Sequence, residues 1–193
     1  MEYFARKEMA PLAYELDRDS KFSFELWGKM GELGLPGLTI PEQYGGSGMG
    51  AMDATLCLQG LGRGGGDTGT NLSLGAHLTI ANMPIVLFGT EAQKQKYLPK
   101  LASGEWIGGM GLTEPNAGSD AGALTTRAER QGDHYVLNGT KMFITNGPIG
   151  QVFIVMARTD KNSKGSRGVS AFIVFVFPGM FPASIRVAPR SEE

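Results

Sequence analysis

Met110-Gly111-Leu112-Thr113-Glu114-Pro115-Asn116-Ala117-Gly118-Ser119-Asp120 is the stretch on which the fold turns. Just ahead of it, Trp106-Ile107-Gly108-Gly109-Met110-Gly111-Leu112 reads as a short apolar strand whose glycines let something flat approach the main chain. Pro115 sets φ, and Asn116 and Gly118 tolerate turn geometry, so Thr113, Ser119 and neighbouring N–H groups converge at a strand end. An ordinary strand-to-turn junction has the same composition. Taken singly, Met110 and Leu112 also suit sheet core, Thr113 a β-former, and Ser119 with Asp120 a local cap.

A second stretch narrows the reading. Leu137-Asn138-Gly139-Thr140-Lys141-Met142-Phe143-Ile144-Thr145-Asn146-Gly147 opens with an Asn-Gly turn and closes with Asn-Gly-Pro, which predicts a strand over 141–145. Together the two stretches resemble the flavin-contacting segments of the acyl-CoA dehydrogenase family: a Thr-Glu-Pro-x-x-Gly-Ser-Asp loop, then aromatic-Ile-Thr after Asn-Gly-x-Lys. Family-like phrases extend from Ile40-Pro41-Glu42-Gln43-Tyr44-Gly45-Gly46-Ser47-Gly48, through Gly89-Thr90-Glu91-Ala92-Gln93-Lys94-Gln95-Lys96-Tyr97-Leu98-Pro99-Lys100-Leu101, to Gly168-Val169-Ser170-Ala171-Phe172-Ile173-Val174.

Composition agrees with a folded chain and excludes several classes. Of the 193 residues, 41% are hydrophobic and 19% charged, which suits one domain or two small ones. The net charge is −1, with no basic run, so neither nucleic acid nor an anionic membrane is expected as partner. Cys57 is the single cysteine, which leaves no internal disulfide or multi-cysteine metal site, and its apolar neighbours predict buried packing. No apolar run is expected to span a membrane and no signal-peptide pattern opens the chain, so a reducing, cytoplasmic setting is expected, or the mitochondrial matrix in a eukaryote.

Helical texture dominates before residue 105. Phe4, Leu12 and Leu16 suit an amphipathic helix bent or interrupted at Pro11. Ser23 is the expected N-cap of a helix over about 24–33, with Phe24, Trp27 and Met30 on one face and Gly34 at its end. Residues 35–50 read as a loop, and 52–62 again as helix. Gly60-Leu61-Gly62-Arg63-Gly64 superficially matches a phosphate fingerprint, but it follows a helix and opens no βαβ unit, so no dinucleotide site is assigned. The apolar run 72–88 predicts a buried helix that bends or ends at Pro84; its His77, lacking a second donor nearby, is assigned to the core, and His134 to the surface. Thr90 and Gln93 form a capping box for a helix limited by Pro99.

From Trp106 the texture changes to short β-prone runs at 106–113, 134–137, 141–145, 152–158 and 169–177. The expectation is an α+β chain: an all-α N-terminal domain over 1–106, then an incomplete antiparallel β-barrel-like domain over 107–193, atypical after about 175. In the family that region continues with more β-domain and a helical C-terminal domain. A changed frame or a cut gene model would explain the difference, as would a native short chain, whose sheet would keep an unpaired apolar edge.

The resemblance implies a chemistry. Family members use FAD to oxidise acyl-CoA thioesters to 2-enoyl-CoA, a glutamate taking the α-proton while the β-hydrogen leaves as hydride. It further implies that Met110, Leu112 and Thr113 touch the flavin ring, that Gly118 and Ser119 meet flavin phosphate or the substrate's pantetheine arm, and that Phe143, Ile144 and Thr145 cover the ring system. Many relatives carry tryptophan at the Phe143 position; phenylalanine keeps a π-face without the indole donor. The family's glutamate lies in the C-terminal domain and has no counterpart here, so this polypeptide alone is expected to lack activity and to bind FAD poorly. The resemblance also implies an electron-transfer flavoprotein as acceptor and a homo-oligomer when complete. A flavin-dependent acyl-CoA oxidase or monooxygenase, and a non-catalytic remnant or partner-binding fragment, are the competing readings.

Overall fold

The computed structural model describes residues 1–176 and the backbone of Ser184–Val187, and divides the chain into Met1–Gly108 and Gly109–Glu193. The first unit is helical. Ser23 Oγ accepts the Leu26 amide hydrogen at 3.1 Å and opens the helix Phe24–Glu32, and Gly34 takes the left-handed conformation just beyond its end. That helix buries Leu26, Trp27 and Met30, whereas Phe24 is exposed, contrary to expectation: at the first helical position it packs edge-on against Phe22 instead. Thr90 and Gln93 cap the helix Glu91–Ala102 reciprocally, at 3.2 and 2.9 Å.

Pro11, Pro84 and Pro99 do not end their helices. Helical residues run from Glu2 to Arg18 through a π-segment, Ala5–Met9, that directly precedes the α-segment containing Pro11. The same device recurs in Thr68–Phe88, where the π-segment His77–Asn82 precedes the segment containing Pro84. A wider turn takes up the hydrogen bond that proline cannot donate, so the chain continues. Pro99 lies within Glu91–Ala102, also without terminating it.

Contrary to the sequence expectation, Thr68–Phe88, at 21 residues, is long and apolar enough to cross a membrane by length and composition. Within the helical unit it is a core helix: Leu74, Leu78 and Ile85 are buried along it together with polar Thr70, Ser73, His77 and Asn82. The glycine-rich Gly60–Gly64 stretch serves close helix packing. A Cβ on Gly64 would lie 2.5 Å from the Ala5 Cβ and the Glu2 carbonyl oxygen, and one on Gly60 would lie 2.9 Å from the Met1 Cβ. Cys57, expected to be buried, is half-buried.

The second unit is built on a sheet with β1 (Gly108–Gly111), β2 (Arg127–Gln131), β3 (His134–Asn138), β4 (Val152–Arg158), β5 (Val169–Phe175) and β6 (Ser184–Val187). The order is β1-β4-β2-β3-β6, with β5 also on β4. β4 and β5 pair antiparallel from Val152↔Phe175 to Arg158↔Val169, burying Ala157 and Val174 with Ala128 and Leu137 in one cluster. The sheet is open and mixed instead of antiparallel and barrel-like, because β2 meets β4 parallel, at Arg127↔Arg158.

Two strand expectations fail for opposite reasons. Arg127-Ala128-Glu129-Arg130-Gln131 looks too polar for a strand and buries only Ala128, yet the two-residue turn Gly132-Asp133 brings it into register with β3. Residues 141–145 look like a strand, yet Phe143 (φ 57°) and Asn146 (φ 66°) are left-handed, which no extended strand accommodates. The chain instead turns at 144–150, where the Gly150 N–H donates to the Asn146 carbonyl at 2.7 Å. His134, expected at the surface, is half-buried in β3 and bonded to Asp133 at 2.9 Å. β6 pairs antiparallel with β3, Leu137 opposite Ile185. The rest of the unusual tail, 177–183 and 188–193, and with it the last position of the expected 169–177 strand, lies outside the described residues.

Candidate functional site

Within the second unit, the two motif stretches are fastened to one another. Glu114 and Ala117 exchange backbone hydrogen bonds at 2.9 and 3.2 Å, closing a turn over Pro115 and Asn116. The Met142 N–H donates to the Thr113 carbonyl at 3.0 Å, and Lys141 Nζ donates to the Leu112 carbonyl at 2.9 Å. On β1, a Cβ added to Gly109 would lie 2.7 Å from the Thr145 carbonyl oxygen and 2.9 Å from the Phe153 ring. That is why a glycine stands there: the 144–147 turn leaves no room for a side chain.

The fastening centres on Glu114, which is 4% exposed. Its carboxylate accepts from Lys141 Nζ at 2.8 Å, from the Thr125 amide at 2.6 Å and hydroxyl at 2.8 Å, and from the Thr126 amide at 2.9 Å. Burial pushes the Glu114 carboxyl up, but hydrogen bonds from Lys141, Thr126 and Thr125 outweigh burial and bring it down to about 2. It is therefore a fixed anion, and a carboxylate so held is a poor proton acceptor near neutral pH. Sequence reasoning left Glu114 in the turn and gave Lys141 no role. The available signal was one acid and one base, each set within a stretch that carries the family resemblance.

Gly139 bears on the same knot. A Cβ there would lie 2.3 Å from Thr126 Oγ1 and 2.6 Å from Thr126 Cα. Gly139→Ala is expected to destabilise the chain by about 2 kcal/mol through overpacking. The urea midpoint reads it, and an unchanged midpoint would contradict so close an approach.

The predicted contact residues fall into two sets. Met110, Leu112, Thr113, Ile144 and Thr145 are half-buried, and the bonds from Lys141 and Met142 draw the Leu112–Thr113 backbone to the start of the second stretch. Gly118 and Ser119 are exposed, directly after the closed turn, and a Cβ on Gly118 would meet nothing within 4 Å. Phe143 is 84% exposed although it is a large aromatic in a left-handed conformation. Neither packing nor backbone preference explains that placement.

Comparison with known proteins agrees with these two units. A family model described as acyl-CoA dehydrogenase, N-terminal domain, matches residues 1–105, and one described as acyl-CoA dehydrogenase, middle domain, matches 109–181. Mitochondrial isovaleryl-CoA dehydrogenase of Pongo abelii is 48% identical over 174 residues, covering 89% of this chain and 41% of that protein. A solved structure described as the electron transferring flavoprotein of Acidaminococcus fermentans superposes with a TM-score of 0.86 at 44% identity, covering 91% of this chain and 45% of that one. An FAD complex of PigA superposes with a TM-score of 0.85 at 38% identity, again covering 91% and 45%. The chain thus spans less than half the length of these relatives. With both of its units matched in order, the chain belongs to the acyl-CoA dehydrogenase family.

Proposed function

We propose that the second unit carries the FAD-contacting part of an enzyme that dehydrogenates an acyl-CoA thioester to the 2-enoyl-CoA. The observation that carries this reading is Phe143: a ring held outward in a left-handed conformation, beside half-buried Ile144 and Thr145. Such a surface fits a flat, two-faced group. Phe143 and Ile144 would cover the isoalloxazine, the hydroxyls of Thr145 and Thr113 would bond its polar edges, and Met110 and Leu112 would pack against it. Gly118 and Ser119, exposed and unobstructed, suit a phosphate or the pantetheine arm. Bound FAD supplies the hydride acceptor; these side chains supply position and exclude water.

Glu114 is not the α-proton base in this reading, since its charge is committed to Lys141 and three further donors. The partners proposed are an acyl-CoA substrate and an electron-transfer flavoprotein as acceptor, within a homo-oligomer, in the cytoplasm or, in a eukaryote, the mitochondrial matrix. The likeness to an FAD complex of PigA supports the cofactor, and that to mitochondrial isovaleryl-CoA dehydrogenase supports the substrate class.

The test is the visible spectrum of the purified chain after FAD addition and desalting, set beside that of Phe143→Gly. The parent is expected to retain a weak flavin band, in keeping with the poor binding expected of this polypeptide alone, and the variant to lose it, while the variant gains about 1 kcal/mol of stability from relief of the left-handed strain. A colourless parent, or equal flavin retention in both, would count against the reading.

A further inference from the structure

We propose that Arg158 is a positioning residue for the loop that presents Gly118 and Ser119. The inference rests on the FAD reading above and adds a residue that the motif stretches do not contain. Arg158 ends β4, and its guanidinium is surrounded by carbonyl oxygens: Nη2 donates to Gly122 at 2.7 Å, Nε to Leu124 at 3.2 Å, and Nη1 to Ser163 at 3.1 Å and Gly165 at 3.3 Å. Its own amide donates to the Thr126 carbonyl at 2.8 Å. The two loops so joined touch: a Cβ on Gly122 would lie 3.1 Å from Gly165 Cα.

Segment 121–126 is thereby held by opposite charges acting on opposite backbone groups. The Glu114 carboxylate takes the amide hydrogens of Thr125 and Thr126, while the Arg158 guanidinium takes the carbonyls of Gly122 and Leu124. Each peptide group in the grip is oriented, which fixes the exit of the exposed 118–120 stretch. A planar fork reaching four carbonyls cannot be reproduced by the point charge of lysine. Preorganisation of this kind is paid in the fold and returned as ligand affinity.

The parent chain, Arg158→Lys and Arg158→Met are compared by amide hydrogen exchange without ligand and by FAD titration followed in flavin fluorescence. Both variants are expected to exchange about tenfold faster over 119–126 and 161–168 than the parent, with 134–138 unchanged, and to bind FAD about tenfold more weakly. Unchanged exchange over 119–126 would overturn the proposal, as would equal acceleration over 134–138, which marks general loosening. Faster exchange with unaltered FAD affinity would also overturn it while leaving the FAD reading intact. A parent that takes up no FAD defeats that reading and the positioning role with it; exchange, which needs no ligand, still shows whether the clamp exists, so the two failures are distinguishable.

Discussion

Lys141→Met is expected to lower the unfolding free energy by about 3–5 kcal/mol, because it strands the buried Glu114 carboxylate without its counter-ion. Three donors would remain on Glu114, the Thr125 amide and hydroxyl and the Thr126 amide, and they are neutral dipoles. The substitution also frees the Leu112 carbonyl, to which Lys141 Nζ donates, so the motif stretches lose a shared donor at the same time. Urea denaturation of the single variants and of Glu114→Gln/Lys141→Met measures the coupling, and the double variant is expected to be more stable than Lys141→Met alone. Additive losses would show that the pair is not coupled. The pH dependence has a definite sign. The Glu114 carboxyl titrates at about 2 in the fold against an ordinary 4.5, so its contribution is complete above pH 4.5 and is lost as pH falls from 4.5 towards 2. The loss is of order 3 kcal/mol and should be missing in Glu114→Gln.

His77→Leu is expected to destabilise the helical unit by about 2–3 kcal/mol, since the Gly108 amide and the Leu101 carbonyl each lose a buried hydrogen bond, the carbonyl keeping the Gly104 amide at 3.2 Å. His77 is fully buried; its Nδ1 accepts the Gly108 amide hydrogen at 3.0 Å, and the opposite nitrogen, Nε2, donates to the Leu101 carbonyl at 3.1 Å. Trp27 packs edge-on against the ring at 5.4 Å, so leucine also disturbs the packing. Burial lowers the imidazole from 6.5 to about 4, which keeps it neutral in the fold. Its contribution is therefore complete above pH 6.5 and is lost as pH falls from 6.5 to 4, where the unfolded chain binds a proton that the fold refuses. Thermal melts at pH 7.5, 5 and 3 should show the His77-dependent loss first and the Glu114-dependent loss second. A parent whose melting temperature is flat between pH 7 and 5 would refute the histidine assignment.

The assignment of His77 to the core was legible from sequence, because a lone histidine on an apolar helical face has no metal or catalytic company. Its role was not, since Leu101 and Gly108 belong to segments that only the fold brings to it. That the helices continue past Pro11 and Pro84 was not legible for a related reason: a π-segment before each proline absorbs the missing donor, and no residue type announces such a segment. The strand β2 was missed because its polarity matters little once a two-residue turn sets its register.

Local chemistry in the sequence determined the order of a helical then a β-rich region, the caps at Ser23 and Thr90, and the two stretches that carry the family resemblance. Capping and side-chain periodicity act over a few residues, so they can be read without a partner. Only the tertiary structure decided that 141–145 is no strand but presents a left-handed Phe143 ahead of the turn at 144–150, that the sheet is open and mixed, and that Glu114, Lys141 and Arg158 grip the candidate site. The physical reason is separation along the chain: Lys141 reaches Glu114 across 27 positions and Arg158 reaches Gly122 across 36. A charge states what it can bind, but the chain's path determines what lies within 3 Å of it.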